Sequence, residues 1–221
     1  MPALVTSLFE EQALRHELQR EMDGLDWSLG VVDLRNLLAF QRRLLSDPEY
    51  PQACVPEPHD WAALFHVSFG TPQSTAFTTI VSTPTELVLQ SANPNLHLRQ
   101  TTPCSASIFE LHGGSPFFEV AQYRDRWFLR DGYHRAERLL RHGIHQVPAV
   151  IIHARSLAEL GAVGPWFFSE QILFSSRPPL VTDFLLDELI QEYTRPRMLK
   201  TLRVTVDESF GAAPTNAIQG E

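Results

Sequence analysis

Within five residues, Asp131-Gly132-Tyr133-His134-Arg135 brings together a carboxylate, a glycine, an imidazole and a guanidinium. The run before it, Phe117–Arg130, reads as two short strands around Arg124-Asp125, and the run after it has helical spacing. A strand that enters a helix through glycine leaves the first backbone N–H groups unpaired. With the positive end of the helix dipole they form a seat for phosphate or carboxylate. Gly132 permits close backbone approach and a positive φ. His134 and Arg135 are cations in a first helical turn, where they oppose the dipole, and an anion between them would resolve that conflict. Arg135 is suited to a bidentate grip, and His134 to donating a hydrogen bond or a proton. Asp131 has several readings: it can cap the helix, orient His134, bind a phosphate-bound metal, or accept a proton from a hydroxyl.

Several elements have to hold this segment. Phe117–Tyr123 and Arg126–Arg130 form the strand pair. His134–His142 is a helix with Ala136, Leu139 and Leu140 inward and Gly143 ending it, and Val147–His153 is an apolar strand. Upstream, Thr6–Glu21 is expected as one helix with Ser7 and Glu10 at capping-box spacing, closed by Asp23-Gly24. Ser28–Asp33 reads as a buried strand, and Leu34–Leu45 as a helix or helix-like turn stopped at Asp47-Pro48. Residues 61–112 are rich in Ser, Thr and β-branched residues. Strands are expected at Thr75–Ser82, Glu86–Ser91, Leu96–Thr101 and Ser107–Leu111, forming a β-rich insertion too short to fold alone. Further on, Ser156–Leu160 suggests a helical turn, Val181–Tyr193 an amphipathic helix, Arg203–Val206 a late strand, and 211–221 a disordered tail.

The composition narrows the function. The chain has 221 residues and a net charge of −8, so it lacks the global basic field that supports non-specific DNA binding. Cys54 and Cys104 are far apart and form neither a metal template nor a disulfide framework, which points to a reducing, cytoplasmic setting. No apolar run reaches the length of a membrane span, and no basic, apolar leader opens the chain. His142 and His145 straddle the Gly143 stop and make a poor ligand pair. Gly113-Gly114-Ser115-Pro116 reads either as a phosphate-touching loop or as a connector.

The segment Phe117–Ala154 resembles the core of the ParB/sulfiredoxin superfamily: a strand pair, D-G-x-H-R, a helix with small Ala136, a glycine stop, then Val147-Pro148-Ala149-Val150-Ile151. Partition proteins of that superfamily carry G-E-R-R-x-R-A here, sulfiredoxins G-G-C-H-R, and free-serine kinases D-G-H-H-R. The string in this chain is nearest the kinase form. Upstream, Trp27…Val31-Val32-Asp33-Leu34…Gln41-Arg42-Arg43 is similar to the strand and N-x-x-Q-P-R box of the same domains, with Gln41 and Arg43 matching. Sulfiredoxin chemistry needs a thiolate where this chain has Tyr133. Partition needs a helix-turn-helix domain for which the residues after Arg155 are too short and too rich in Pro and Phe. In the kinase branch a first-box carboxylate acts as base. Gln41 stands there, with Asp47 and Glu49 the nearby acids.

The resemblance implies an α+β fold: a ParB/sulfiredoxin-like core with a small mixed sheet, an inserted β-rich segment (61–112) and a helical C-terminal extension (155–210), all in one domain over 1–210. It implies a nucleotide (ATP, ADP or CTP) with Mg2+, and phosphate transfer to a small-molecule acceptor or hydrolysis. Gly132, Tyr133, His134, Arg135, Gln41 and Arg43 would contact the nucleotide, while Asp131 and His134 would act catalytically. The rival reading is a non-enzymatic regulatory module that retains an anion site. A DNA-associated ParB-like nuclease is a third, disfavoured by the acidic chain.

Overall fold

The computed structural model describes residues 3–44, 55–71, 75–93, 95–100, 109–162, 164, 166–196 and 198–210. In chain order its helices are α1 (Ala3–Ala13), α2 (His16–Glu21), α3 (Trp61–Ser68), α4 (Tyr133–Arg141), α5 (Leu157–Leu160) and α6 (Glu170–Leu173). The strands are β1 (Trp27–Asp33), β2 (Leu38–Ala39), β3 (Thr78–Ser82), β4 (Glu86–Ser91), β5 (His97–Gln100), β6 (Phe109–His112), β7 (Glu119–Tyr123), β8 (Arg126–Asp131), β9 (Gln146–Ala154) and β10 (Lys200–Thr205). The fold is α+β, and the chain divides into two units: residues 1–72 with 115–194, and residues 73–114 with 195–221.

The first unit is built on a five-stranded mixed sheet in the order β1-β9-β7-β8-β2. β9 lies inside it because Val147–Ile152 is buried without interruption, the pattern of a strand covered on both faces. Pro148 is tolerated there for a geometric reason. The Val150 N–H points to Phe118 O (2.9 Å), so the nitrogen two residues earlier points the same way, past the start of β7 opposite Val150. One face of the sheet packs Leu34, Phe118, Val120, Leu129 and Val147 with the α4 residues Ala136, Leu139 and Leu140. The other packs Ala121, Phe128, Val150 and Ile152 with Phe9, Leu18 and Leu160.

The second unit holds a three-stranded sheet, β10-β4-β3, and the β5–β6 hairpin. The late strand pairs with β4 from Lys200↔Ser91 to Thr205↔Glu86.

Four expectations are corrected. The first helix breaks at Leu14-Arg15. Ser7 lies inside α1, donating its hydroxyl to Leu4 O, instead of capping it, and Leu14 is exposed. At the break Arg15 is extended (φ −68°, ψ 123°), and its guanidinium donates to Phe69 O (2.6 Å) and Gly70 O (3.0 Å). The helix-like turn expected from Leu34 is confined to a 3-10 turn at Leu34–Asn36 capped by Asp33, after which Leu37, Leu38, Ala39 and Phe40 are all buried and β2 joins β8 in parallel. Within the stretch read as β-rich, Trp61–Ser68 is a helix capped by the Asp60 side chain on Ala63 N–H. Val181–Tyr193 gives only a 3-10 turn at Val181–Leu185. Leu186, Leu189 and Tyr193 are exposed, and a short helix without a buried apolar face is not stable. The Asp47-Pro48 stop, Glu49, Cys54, Cys104 and the tail lie outside the described residues.

Candidate anion site at the start of α4

The strand–turn–helix is present. β8 ends at Asp131, and Gly132 stands before α4 in the left-handed region (φ 102°), a cap residue with no side chain to accept from the first turn. A Cβ on Gly132 would lie 2.8 Å from Phe118 Cδ2, so this position requires glycine for both its φ and its space. Ala136 N–H bonds back to Gly132 O, and among the described residues the N–H groups of the first turn ahead of it have no side-chain acceptor. At the other end, Gly143 N–H bonds Leu140 O and Ile144 N–H bonds Leu139 O, with Gly143 at φ 73°. This is the Schellman closure expected of that glycine.

A β-bulge shapes the approach to the helix. Glu119 pairs with Asp131 while Val120 pairs with Leu129, leaving Arg130 as the extra residue of β8. Bulges redirect side chains and recur beside functional sites. Arg130 Nη1 donates to Glu119 Oε2 at 2.5 Å. Glu119 is 2% exposed, and its Oε1 has no hydrogen-bond partner among the described residues. Burial pushes its carboxyl up to about 7, against the pull of Arg130 and with a further push from Asp131 and Glu21. Desolvation also raises Asp131, which accepts the Gly132 N–H and lies 3.6 Å from Arg135 Nη2. Partial loss of hydration lowers His134, opposed by Glu137 and aided by Arg135, and its side chain is exposed.

The structure gathers some of the predicted residues and redirects others. Asp131, Gly132, His134 and Arg135 share the junction. Arg135, however, turns inward. It donates to Val67 O (3.1 Å) and Pro116 O (2.7 Å) through Nη1, and to Phe117 O (2.7 Å) through Nη2. Tyr133 is buried, and burial raises its phenol, whose oxygen accepts the N–H groups of Phe40 (3.0 Å) and Gln41 (3.3 Å). Those bonds tie the upstream box to the helix, whereas the Gln41 amide folds onto Arg43 O. The guanidinium of Arg43 lies 5.9 Å from the centre of the exposed Trp166 ring. Among the described residues no group of three or more His, Cys, Asp or Glu is placed to hold a metal ion. No helix of the described residues is long and apolar enough to cross a membrane. Ser115 of the glycine-rich loop accepts the Phe117 N–H.

Comparison with models of known families, with curated proteins and with solved structures gives no match.

Sequence reasoning did not pair Glu119 with Arg130. The signal was available: a glutamate inside Phe117-Phe118-Glu119-Val120-Ala121 needs a buried cation, and Arg130 closes the returning strand.

Proposed function

We propose that this chain is a ParB/sulfiredoxin-like module that binds a nucleotide through its phosphates at the start of α4. The uncapped helix behind Gly132 carries this reading. Its geometry demands glycine, among the described residues no side chain takes up its first-turn N–H groups, and the exposed imidazole of His134 stands in that turn as a hydrogen-bonding group. The Tyr133 bridge to Phe40 and Gln41 supports the same reading, since it joins the two segments that carry the resemblance. A magnesium ion would arrive on the phosphates, with Asp131 as the nearest carboxylate.

The module acts by binding rather than by turnover. Arg135, the cation that would neutralise charge on a transferring phosphoryl group, is committed to three backbone carbonyls. Were phosphate transferred to an acceptor or to water, Asp131 would take the hydroxyl proton and His134 would donate to the phosphate. Calorimetric titration with ATP, ADP, CTP and GTP, each with and without magnesium, tests the binding. Saturable heat with at least one of them is expected, and no heat at millimolar ligand overturns the reading. Phosphate release above background would replace binding with catalysis.

A further inference from the structure

We infer that Ser28, His153 and Gln122 form a second functional centre, in which Ser28 is a nucleophile that takes the acyl group of activated esters. The inference is independent of the phosphate seat. Gln122 pairs with Trp127 near the end of the β7–β8 pair opposite to the one where Glu119 meets Asp131.

Three adjacent strands bring these side chains together. Ser28 of β1 lies opposite Ile151 of β9, His153 follows Ile151 by two residues, and Gln122 of β7 lies opposite His153. Side chains alternate along a strand, so all three stand on one face of the sheet. His153 N–H bonds Asp26 O at 2.8 Å, which holds its ring beside β1. Gln122 Oε1 is 3.2 Å from His153 Nδ1 and has only acceptor capacity, so Nδ1 carries the ring proton. Nε2 then turns its lone pair to Ser28 Oγ, 3.1 Å away, and accepts from the hydroxyl. A nucleophile, a base and a group that orients the base are the parts of an activated serine. Ser28 is exposed, so an acyl donor reaches its hydroxyl from solvent.

The chemistry balances with water as the one co-reactant. Ser28 Oγ bonds to the acyl carbon while its proton passes to His153 Nε2. The bond from that carbon to the leaving oxygen breaks, and the imidazolium gives the proton to the departing alcohol. Water then attacks the acyl-serine, loses a proton to the same nitrogen, and restores Ser28 as the carboxylic acid leaves. Gln122 is neutral: it fixes the ring tautomer but does not offset the imidazolium charge as a carboxylate does. The leaving group must therefore be a weak base, which selects aryl esters over amides. The charged side chains that flank the centre in sequence are Asp26, ahead of β1, and Arg155, which follows β9 and is held by Glu159.

The probe is p-nitrophenyl acetate. The full chain should release nitrophenolate and carry an acetyl group on Ser28, located by peptide mass spectrometry. Ser28→Ala, a change at an exposed position, should keep the fold by circular dichroism and lose that mark. His153→Gln should slow acetylation of Ser28 by about 10²–10⁴-fold, the range for a positioned base. Gln122 is a positioning residue, and its test is the pH profile. Gln122→Glu keeps an acceptor on Nδ1 and adds a charge that favours the imidazolium, so acetylation should quicken and its rising limb move to higher pH. Gln122→Leu should slow it. Four results overturn the inference: no acetyl group on Ser28 in the parent chain, nitrophenolate release undiminished in Ser28→Ala, acetylation of Ser28 unchanged in His153→Gln, or an unshifted profile in Gln122→Glu. None of them bears on nucleotide binding at α4.

Discussion

The phenolic oxygen of Tyr133 accepts the backbone N–H of Phe40 at 3.0 Å, linking the first residue of α4 to a segment 93 positions earlier. The adjacent Gln41 N–H points to the same oxygen at 3.3 Å. Tyr133 is thus a structural acceptor. Tyr133→Phe should leave two amides without their acceptor while the ring still fills its site. A loss of about 1–3 kcal/mol is expected, read as a lower denaturation midpoint in urea at unchanged slope. Tyr133→Ala should cost more, roughly 3–5 kcal/mol, because a cavity is added.

Gly132 makes a second prediction. At φ 102°, with Phe118 Cδ2 2.8 Å from where a Cβ would stand, alanine is strained and also collides. Gly132→Ala should destabilise the chain by more than the roughly 1 kcal/mol typical of backbone strain alone, and should weaken nucleotide binding by displacing the helix start. A neutral substitution, measured by thermal melting and titration together, would show that the turn is not held as described.

Arg135 should behave as a structural residue. Its guanidinium holds the Val67, Pro116 and Phe117 carbonyls, tying the end of α3 to the chain leading into β7. Lysine has a single ammonium and cannot reproduce that fork. Arg135→Lys should therefore lower stability by about 2–4 kcal/mol, in line with hydrogen bonds to a charged group. A variant as stable as the parent but unable to bind ATP would instead make Arg135 the ligand-gripping residue.

The pH dependence of stability follows from Glu119. Its carboxyl is raised from an ordinary value of 4.5 to about 7 in the folded chain, so the folded state keeps a proton that the unfolded state has lost between those values. The corresponding stability is fully present below pH 4.5 and declines as pH rises to about 7. Its size is on the order of 3 kcal/mol, at about 1.4 kcal/mol per pH unit. Glu119→Gln should flatten this component of the denaturation profile between pH 5 and 8, because glutamine does not titrate. An equally steep profile in the variant would place the titrating group elsewhere.

Much of the sheet was legible from local pattern. Val147–His153, the β7–β8 pair around Arg124-Asp125 and the Gly143 stop each have a short-range cause that the structure retains. What escaped depended on contacts distant in sequence. The run Leu37–Phe40 looks helical by composition but is buried on every side chain, a strand property that appears only once β8 lies beside it. Leu186, Leu189 and Tyr193 have helical spacing but no surface to cover. At the site, the sequence supplied the glycine and the helix start. The destination of Arg135 was hidden because its acceptors are carbonyls of residues 67, 116 and 117, and main-chain acceptors leave no mark in residue type. The Arg130–Glu119 pair was hidden by the bulge that sets it.

The central claim, a phosphate seat on the open amides of α4, is tested most directly by amide chemical-shift mapping of the 15N-labelled chain during titration with ATP. The account predicts saturable shifts that are largest at Gly132, Tyr133, His134 and Arg135, with smaller ones at Arg130 and Asp131. Saturable shifts centred elsewhere, or none at millimolar ATP, would contradict it.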